Sequence, residues 1–362
     1  YVVLCQQKDV IPHDYIINAL VKSAKDFLLS TTNELKLDLA GNNKLMTDKR
    51  LGDKDVEVLC AILGKSTALT SLDLRYNNLT DDAAPSISKL IKETPSLKEL
   101  NIMCNDFTEK GAEHIAEALL TSQTLRSLKV NGNKIGNRGG MYFAQALQIN
   151  NKLRELDLGD CDLEECVVHV GRMLKVNHTL REIHLAKFDM KDFGVERLCD
   201  GLYDNFSLGY LNLSCNRITR DGAAVLAKLL RRNTPLEILD LGFNRIEEDG
   251  AKHIASALST SNSNLKALVV VSNCIQGNGI VSLASSLNTN SSLSNLYIWG
   301  NDLDENACKA MGELIRSRRL QPRNTDVQPY VVDDRVYLSE LSHGIRRFYY
   351  WTPSYGPDVY GH

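Results

Sequence analysis

Phosphate binding, acid–base catalysis and metal or thiol chemistry are the reactions whose residues can be sought first in this sequence. Gly64-Lys65-Ser66-Thr67 has the ending of a phosphate-binding loop. Such a loop needs another glycine at position 59, so that bare backbone N–H groups can close on phosphate oxygens, and a strand that leads into a helix. Leu59 stands there, and the tetrapeptide instead ends a helical pattern and enters a strand. No His-Glu-x-x-His, Gly-x-Ser-x-Gly or Gly-x-Gly-x-x-Gly occurs. His114, His178 and His253 fall in helical stretches, where packed or solvated histidines are ordinary. His184, between Glu182 and Ala186, is expected to face the inner surface of a strand, but a lone imidazole makes a weak acid–base site. Nine cysteines are scattered without a Cys-x-x-Cys pair. They support neither zinc nor redox chemistry and read as buried, reduced thiols of an intracellular protein. The expectation is a protein that is not an enzyme, with no metal, no cofactor and no small-molecule substrate.

What positions these residues is a repeat. In Leu236-Glu-Ile-Leu-Asp-Leu-Gly-Phe-Asn244, Leu236, Leu239 and Leu241 are spaced as in a short half-buried strand. Gly250 then opens a helical pattern with Ile254, Ala255, Ala257 and Leu258 as its apolar stripe. One strand and one helix cannot bury these faces alone, so the unit must stack on copies of itself. The position of Asn244 recurs at Asn42, Asn77, Asn105, Asn133, Cys161, Phe188, Asn216, Asn273 and Asn301, at intervals of 27 to 29 residues after a first step of 35. An asparagine there can satisfy backbone groups of neighbouring loops that burial would otherwise leave unpaired. Phe188 offers no such bond, and an irregular turn is expected at it. Gly111, Gly139, Gly194, Gly222 and Gly250 each lie six residues after this ladder position, where positive φ or close packing would require glycine.

The strands Leu97-x-x-Leu100-x-Ile102, Leu125-x-x-Leu128-x-Val130 and Leu153-x-x-Leu156-x-Leu158, with a period of 28, resemble the ribonuclease-inhibitor class of leucine-rich repeat over roughly residues 33–317. The resemblance implies an α/β solenoid of about ten repeats curved as a horseshoe, its parallel sheet on the concave face and its helices on the convex face. It also makes Cys161 an accepted ladder substitute and implies a protein–protein interaction scaffold. Similar intracellular repeat proteins are fixed parts of motile-cilium assemblies, so an axonemal component of the radial spoke or nexin–dynein region is the most concrete expectation. A nuclear or cytosolic regulatory adaptor is the alternative. A Ran-type GTPase activator shares the repeat class, but its long acidic tail is missing here. A ribonuclease inhibitor would carry more acid and more cysteine.

Three regions are expected: a helical N-terminal cap at 1–32, the solenoid at 33–317 and an aromatic-rich tail at 318–362. In the cap, Ile16, Ile17, Leu20, Ala24, Phe27 and Leu28 give a helical stripe. Extra residues at Lys44-Leu-Met-Thr-Asp-Lys-Arg50 form a loop in the first repeat. A net charge of -3 from 42 basic and 45 acidic residues gives no pull toward nucleic acid or membrane. No apolar run approaches the ~20 residues that span a bilayer, and no secretory segment opens the chain. Because the chain starts at Tyr1 rather than Met, a native leader is left open. A cytoplasmic place is expected, with a cilium axoneme as its finer form and the nucleus or nucleolus as alternative.

Binding is expected on strand positions that flank the core leucines. Early repeats present mixed polar residues there, such as Asp73, Arg75, Glu99, Lys129 and Asp157. Later ones present Tyr210, Ile238, Val269, Val271, Tyr297 and Trp299, with Phe243 nearby, read as an exposed apolar and aromatic patch that holds a partner protein. The alternative occupant is the chain's own tail. That tail carries Tyr337, Tyr349, Tyr350 and Trp351 as docking residues, and Val331-Val332 and Val336-Tyr337-Leu338 flank Asp333-Asp334 as a small hairpin.

Overall fold

The computed structural model describes residues 1–29, 31, 34–43 and 50–341. By its internal packing the chain divides into two compact units, Tyr1–Ile183 and His184–His362. The first opens with helices α1 (Val2–Gln7) and α2 (Asp14–Leu29). Strand and helix then alternate: β1 (Leu35–Asp38), α3 (Asp53–Leu63), β2 (Leu69–Asp73), α4 (Ala84–Glu93), β3 (Glu99–Asn101), α5 (Glu109–Thr121), β4 (Ser127–Lys129), α6 (Gly136–Ile149), β5 (Glu155–Asp157) and α7 (Val167–Val176). Strand β6 (Glu182–His184) lies at the division. The second unit continues with α8 (Lys191–Leu202), β7 (Tyr210–Asn212), α9 (Arg220–Arg231), β8 (Ile238–Asp240), α10 (Glu247–Thr260), β9 (Ala267–Val269), α11 (Gly277–Ser286), β10 (Asn295–Tyr297) and α12 (Glu305–Arg316). A hairpin of β11 (Val327–Val332) and β12 (Arg335–Glu340) follows.

Within each unit the strands pair in parallel and in sequence order, which is the leucine-rich repeat solenoid. Leu37, Leu72, Leu100, Leu128 and Leu156 stand side by side in the first. Leu211, Leu239, Leu268 and Leu296 do so in the second. All nine are buried, and each contributes ~2 kcal/mol by leaving water.

The asparagine ladder is made of repeated bonds. Asn105 Nδ2 donates to Leu74 O at 3.1 Å and Ile102 O at 2.9 Å, while its Oδ1 accepts from Leu79 N at 3.2 Å. Asn77, Asn133, Asn216, Asn244, Asn273 and Asn301 repeat the scheme. Cys161 keeps only a thiol contact, Sγ to Val130 O at 3.4 Å. Asn42 is exposed, because no earlier repeat among the described residues precedes it. The turn at Phe188 is not irregular: its N–H donates to Asn216 Oδ1 at 2.9 Å, as Asn216 N–H does to Asn244 Oδ1 at 2.8 Å. The following asparagine serves this backbone, so a ring can replace the amide.

The helical glycines have a packing role. A Cβ on Gly250 would lie 2.9 Å from Ala223 Cβ, and one on Gly139 2.9 Å from Ala112 Cβ, so glycine lets successive helices approach. Positive φ falls elsewhere, one residue before the ladder: 57° at Tyr76, 51° at Cys104, 58° at Cys215 and 59° at Phe243.

Two further ladders tie the helix ends. Asp81 accepts from Thr108 N and Gly111 N at 2.8 and 3.0 Å, and Asp192 does the same for Thr219 and Gly222 at 2.8 and 3.1 Å. At the other end Asn150, Asn177, Asn262 and Asn290 donate to carbonyls of the preceding repeat. Beyond α12, Arg319 ends this second ladder, donating to Leu287 O at 2.7 Å, Leu293 O at 3.0 Å and Asn290 O. Before β1, Ser23 Oγ on α2 donates to Lys36 O at 3.0 Å. The hairpin turns at Asp333 and Asp334, both left-handed at φ 49° and 60°, so paired aspartates supply the turn without glycine.

Candidate functional site

In a parallel sheet with one face against helices, the residues flanking each core leucine stand on the other face. In the first unit, register lines up Asp38, Asp73, Asn101, Lys129 and Asp157 in one row, and Lys36, Ser71, Glu99, Ser127 and Glu155 in a second. These residues are half-buried or exposed. Asn101 Nδ2 donates to Asp73 Oδ2 at 3.3 Å, and Arg75 Nε lies 3.5 Å from the same carboxylate. Burial raises the Asp73 carboxyl, with Arg75 opposing. Glu155 accepts from Ser127 Oγ at 2.7 Å and pairs with Lys129 Nζ at 3.0 Å. Burial pulls Lys129 down, but Glu155, Asp157 and Glu182 together outweigh it and the net shift is upward. Burial, helped by Glu155 and opposed by Lys129, lifts Glu182 to about 7. These rows spread donors and acceptors over an extended surface.

The second unit differs from expectation. Tyr210, Val269, Val271 and Tyr297 are buried, with Tyr297 at 0% exposure, and Val269, Val271 and Tyr297 form one apolar cluster. Ile238 and Trp299 are half-buried. Of the seven expected patch residues only Phe243 is exposed, at 59%. The alternation of strand residues sets these side chains opposite the core leucines but does not show whether water reaches them. Tyr297 Oη accepts from Asn295 Nδ2 at 3.1 Å, and burial raises its pKa. Asp240, 2% exposed, is pushed up to about 6 by burial, against a Gly242 N–H donated at 2.9 Å. His184 packs edge-on to Tyr210 with ring centroids 4.8 Å apart, beside Asn212 Nδ2 at 3.5 Å.

Phe243 flanks a shallow recess of about 360 Å³ with Arg217, Arg245, Cys215 and Ser272. Tyr337, expected in tail docking, stacks on Tyr330 across the hairpin at 5.6 Å. Tyr349, Tyr350 and Trp351 lie outside the described residues, as do 44–49 of the insertion. Sequence reading missed a cavity of about 870 Å³ lined by Tyr15, Asn18, Lys22, Lys36 and Asp38 from α2 and β1. It also missed the exposed Ile149, Val176, Phe193 and Phe206 outside the strand face, which a search for core periodicity passes over.

The other candidate chemistry is absorbed by the fold. Gly64 N donates to Cys60 O at 2.9 Å at the end of α3, and Ser66 Oγ accepts from Leu69 N at 3.1 Å, so this stretch is a helix-to-strand turn. All nine cysteines are free thiols. Burial pushes Cys60, Cys161, Cys166 and Cys199 up to about 12, which suppresses the reactive thiolate. Cys274 is exposed, and Cys104 and Cys215 are half-buried, contrary to a wholly buried set.

A leucine-rich repeat family model matches residues 65–88, 94–116, 121–144, 150–164, 204–227, 232–255 and 261–284. The chain is 49% identical to mouse leucine-rich repeat-containing protein 34 over 98% of its own length and 94% of the relative's. It is 49% identical to the human protein of that name over 55% of its length and 43% of the relative's. Among solved structures, the tropomodulin C-terminal domain of Caenorhabditis elegans aligns over 43% of this chain and 92% of its own at a TM-score of 0.35 and 20% identity, a likeness too slight to inform function. With near-complete coverage at this identity, the chain belongs to the family of leucine-rich repeat-containing protein 34.

Proposed function

We propose that this chain is a non-catalytic protein-binding scaffold and that its place is in a motile-cilium axonemal assembly, in the radial-spoke or nexin–dynein region. The observation that carries the scaffold reading is the open strand face of the first unit, whose half-buried polar rows are held by neighbours on rigid strands. Six acids (Asp38, Asp73, Glu99, Glu155, Asp157, Glu182) stand there against three bases (Lys36, Arg75, Lys129), so the face favours a partner segment with an excess of Lys and Arg. Phe243, between Arg217 and Arg245, offers a second, aromatic contact in the other unit. The axonemal assignment rests on the resemblance to intracellular repeat proteins of cilia.

The test is affinity purification from ciliated tissue with the wild-type chain and with the Glu99→Lys/Asp157→Lys variant. Wild type is expected to recover radial-spoke or dynein-regulatory proteins and the variant to lose them. Equal recovery by both removes the acidic face from the proposal. Recovery of nuclear or cytosolic partners without axonemal ones replaces the ciliary place with that of a regulatory adaptor.

A further inference from the structure

One position of the repeat carries a cation in four consecutive copies, all within the first unit. It is the residue just before β3, β4, β5 and β6: Lys98, Arg126, Arg154 and Arg181. The backbone sets the four side by side. Arg126 N donates to Lys98 O, Arg154 N to Arg126 O and Arg181 N to Arg154 O, each at 2.7 Å. The column therefore advances by one strand spacing, ~4.8 Å, per side chain and runs ~14 Å in all. Lys98, Arg154 and Arg181 are exposed, and Arg126 is half-buried.

The fold does not call for this column. Like charges on neighbouring strands repel, and the same position is Thr70 one repeat earlier and Gly209 one repeat later. Lys98 Nζ, at one end, pairs with Glu34 Oε1 at 2.9 Å. The two middle arginines turn to main-chain oxygens instead. Arg126 Nη1 donates to Gln123 O and Leu125 O at 3.1 Å, and Arg154 Nη1 to Thr179 O at 2.7 Å. Glu155, next to Arg154 in the chain, pairs with Lys129 Nζ at 3.0 Å. Among the described residues, Arg126 and Arg154 thus bond to carbonyls rather than carboxylates. Each guanidinium is steadied at one nitrogen and keeps its other N–H groups for an acceptor outside the chain.

We propose that Lys98, Arg126, Arg154 and Arg181 form a docking ridge for an acidic helical segment of a partner protein. A helix with one Asp or Glu per turn repeats its carboxylates every ~5.4 Å. Over three steps this departs from the ridge by only ~2 Å, which flexible side chains take up. Arginine offers a carboxylate two parallel N–H bonds, so the ridge selects for this group in particular. A nucleic-acid strand fits less well. Glu99, Glu155 and Glu182 stand one residue further along the same strands and repel phosphates that spread beyond the ridge. This goes beyond the scaffold reading, which concerns the acidic rows. Glu99→Lys/Asp157→Lys alters those rows and leaves the ridge intact, so either idea can fail alone.

The test is fluorescence anisotropy of the full chain with a labelled alanine-based helical peptide that carries one glutamate per turn over four turns. Wild type is expected to bind it, more weakly as salt rises. Arg126→Gln/Arg154→Gln is expected to weaken binding about tenfold or more, and Arg126→Lys/Arg154→Lys to fall between the two. Lys89→Gln/Lys110→Gln, which removes two exposed cations elsewhere in the same unit, is expected to change nothing. No binding by wild type overturns the proposal, as does an equal loss in both glutamine variants, which would mean net charge alone. Tighter binding of a single-stranded DNA decamer with the same dependence on Arg126 and Arg154 replaces the acidic segment with nucleic acid. As a check independent of any variant's folding, a photo-crosslinker at the middle of the peptide should attach to wild type within residues 122–127 or 150–155. Attachment elsewhere overturns the proposal.

Discussion

In the first unit, the positions flanking the core leucines of β2 to β5 carry Ser71, Asp73, Glu99, Asn101, Ser127, Lys129, Glu155 and Asp157, all at least partly open to water. In the second, the same positions on β7 to β10 carry Tyr210, Asn212, Ile238, Asp240, Ala267, Val269, Asn295 and Tyr297, and all but Ile238 are buried. The leucine stacks and asparagine ladders behind the two faces are alike. The difference therefore lies in the facing residues and in how far water reaches them. An open row can exchange water for a partner at little internal cost. A covered row holds groups whose removal or ionisation disturbs the fold itself.

The largest effect that should separate the faces is truncation. Tyr297→Ala should cost ~3–5 kcal/mol, because it empties a buried aromatic site, whereas Asp157→Ala should change stability by less than ~0.5 kcal/mol. Urea unfolding of both variants measures this, and equal small costs would mean that the second face is open like the first.

Ionisation gives the next effect. Burial raises Asp240 from 3.8 to about 6, so between those values the folded chain keeps a proton that the unfolded chain has released. The stability this confers is fully present below 3.8 and is lost as pH rises through about 6. Asp240→Asn should therefore be about 1–3 kcal/mol more stable than the parent at neutral pH, with the gain shrinking toward pH 4. A gain that does not vary with pH would show that the carboxyl is solvated.

The smallest effect concerns the exposed exception within the covered unit. Phe243 holds φ 59°, which a phenylalanine adopts at a cost and glycine does not. Phe243→Gly should leave stability unchanged or raise it by up to ~1 kcal/mol, while weakening any partner held at the recess with Arg217 and Arg245. A clear loss of stability would place the ring in the covered core.

The period of 28 and the Leu-x-x-Leu-x-Leu strands were enough to locate β3 to β5 and β7 to β10, because a repeat that cannot bury itself alone has one way to stack. The ladder at Asn77, Asn105, Asn133, Asn216, Asn244, Asn273 and Asn301 was legible for the same reason. Less was legible at the helix ends. Asp81, Asp192, Asn150 and Asn290 act through partners about 30 residues away, and nothing local marks them. The backbone demand for positive φ was also hidden, since Tyr76, Cys104 and Phe243 are not residues that announce it. The candidate site was half legible: which side chains share a face follows from the alternation of strand residues, but whether water reaches them does not.

The sequence by itself determined the solenoid and the register that aligns its rows. Only the tertiary structure decided that the polar rows are open, that Tyr297 and Asp240 are shut away, and that Phe243 remains exposed. Periodicity is a property of neighbours along the chain, fixed by strand and helix geometry. Exposure depends on how residues far apart in the chain pack around a surface, which no local pattern records.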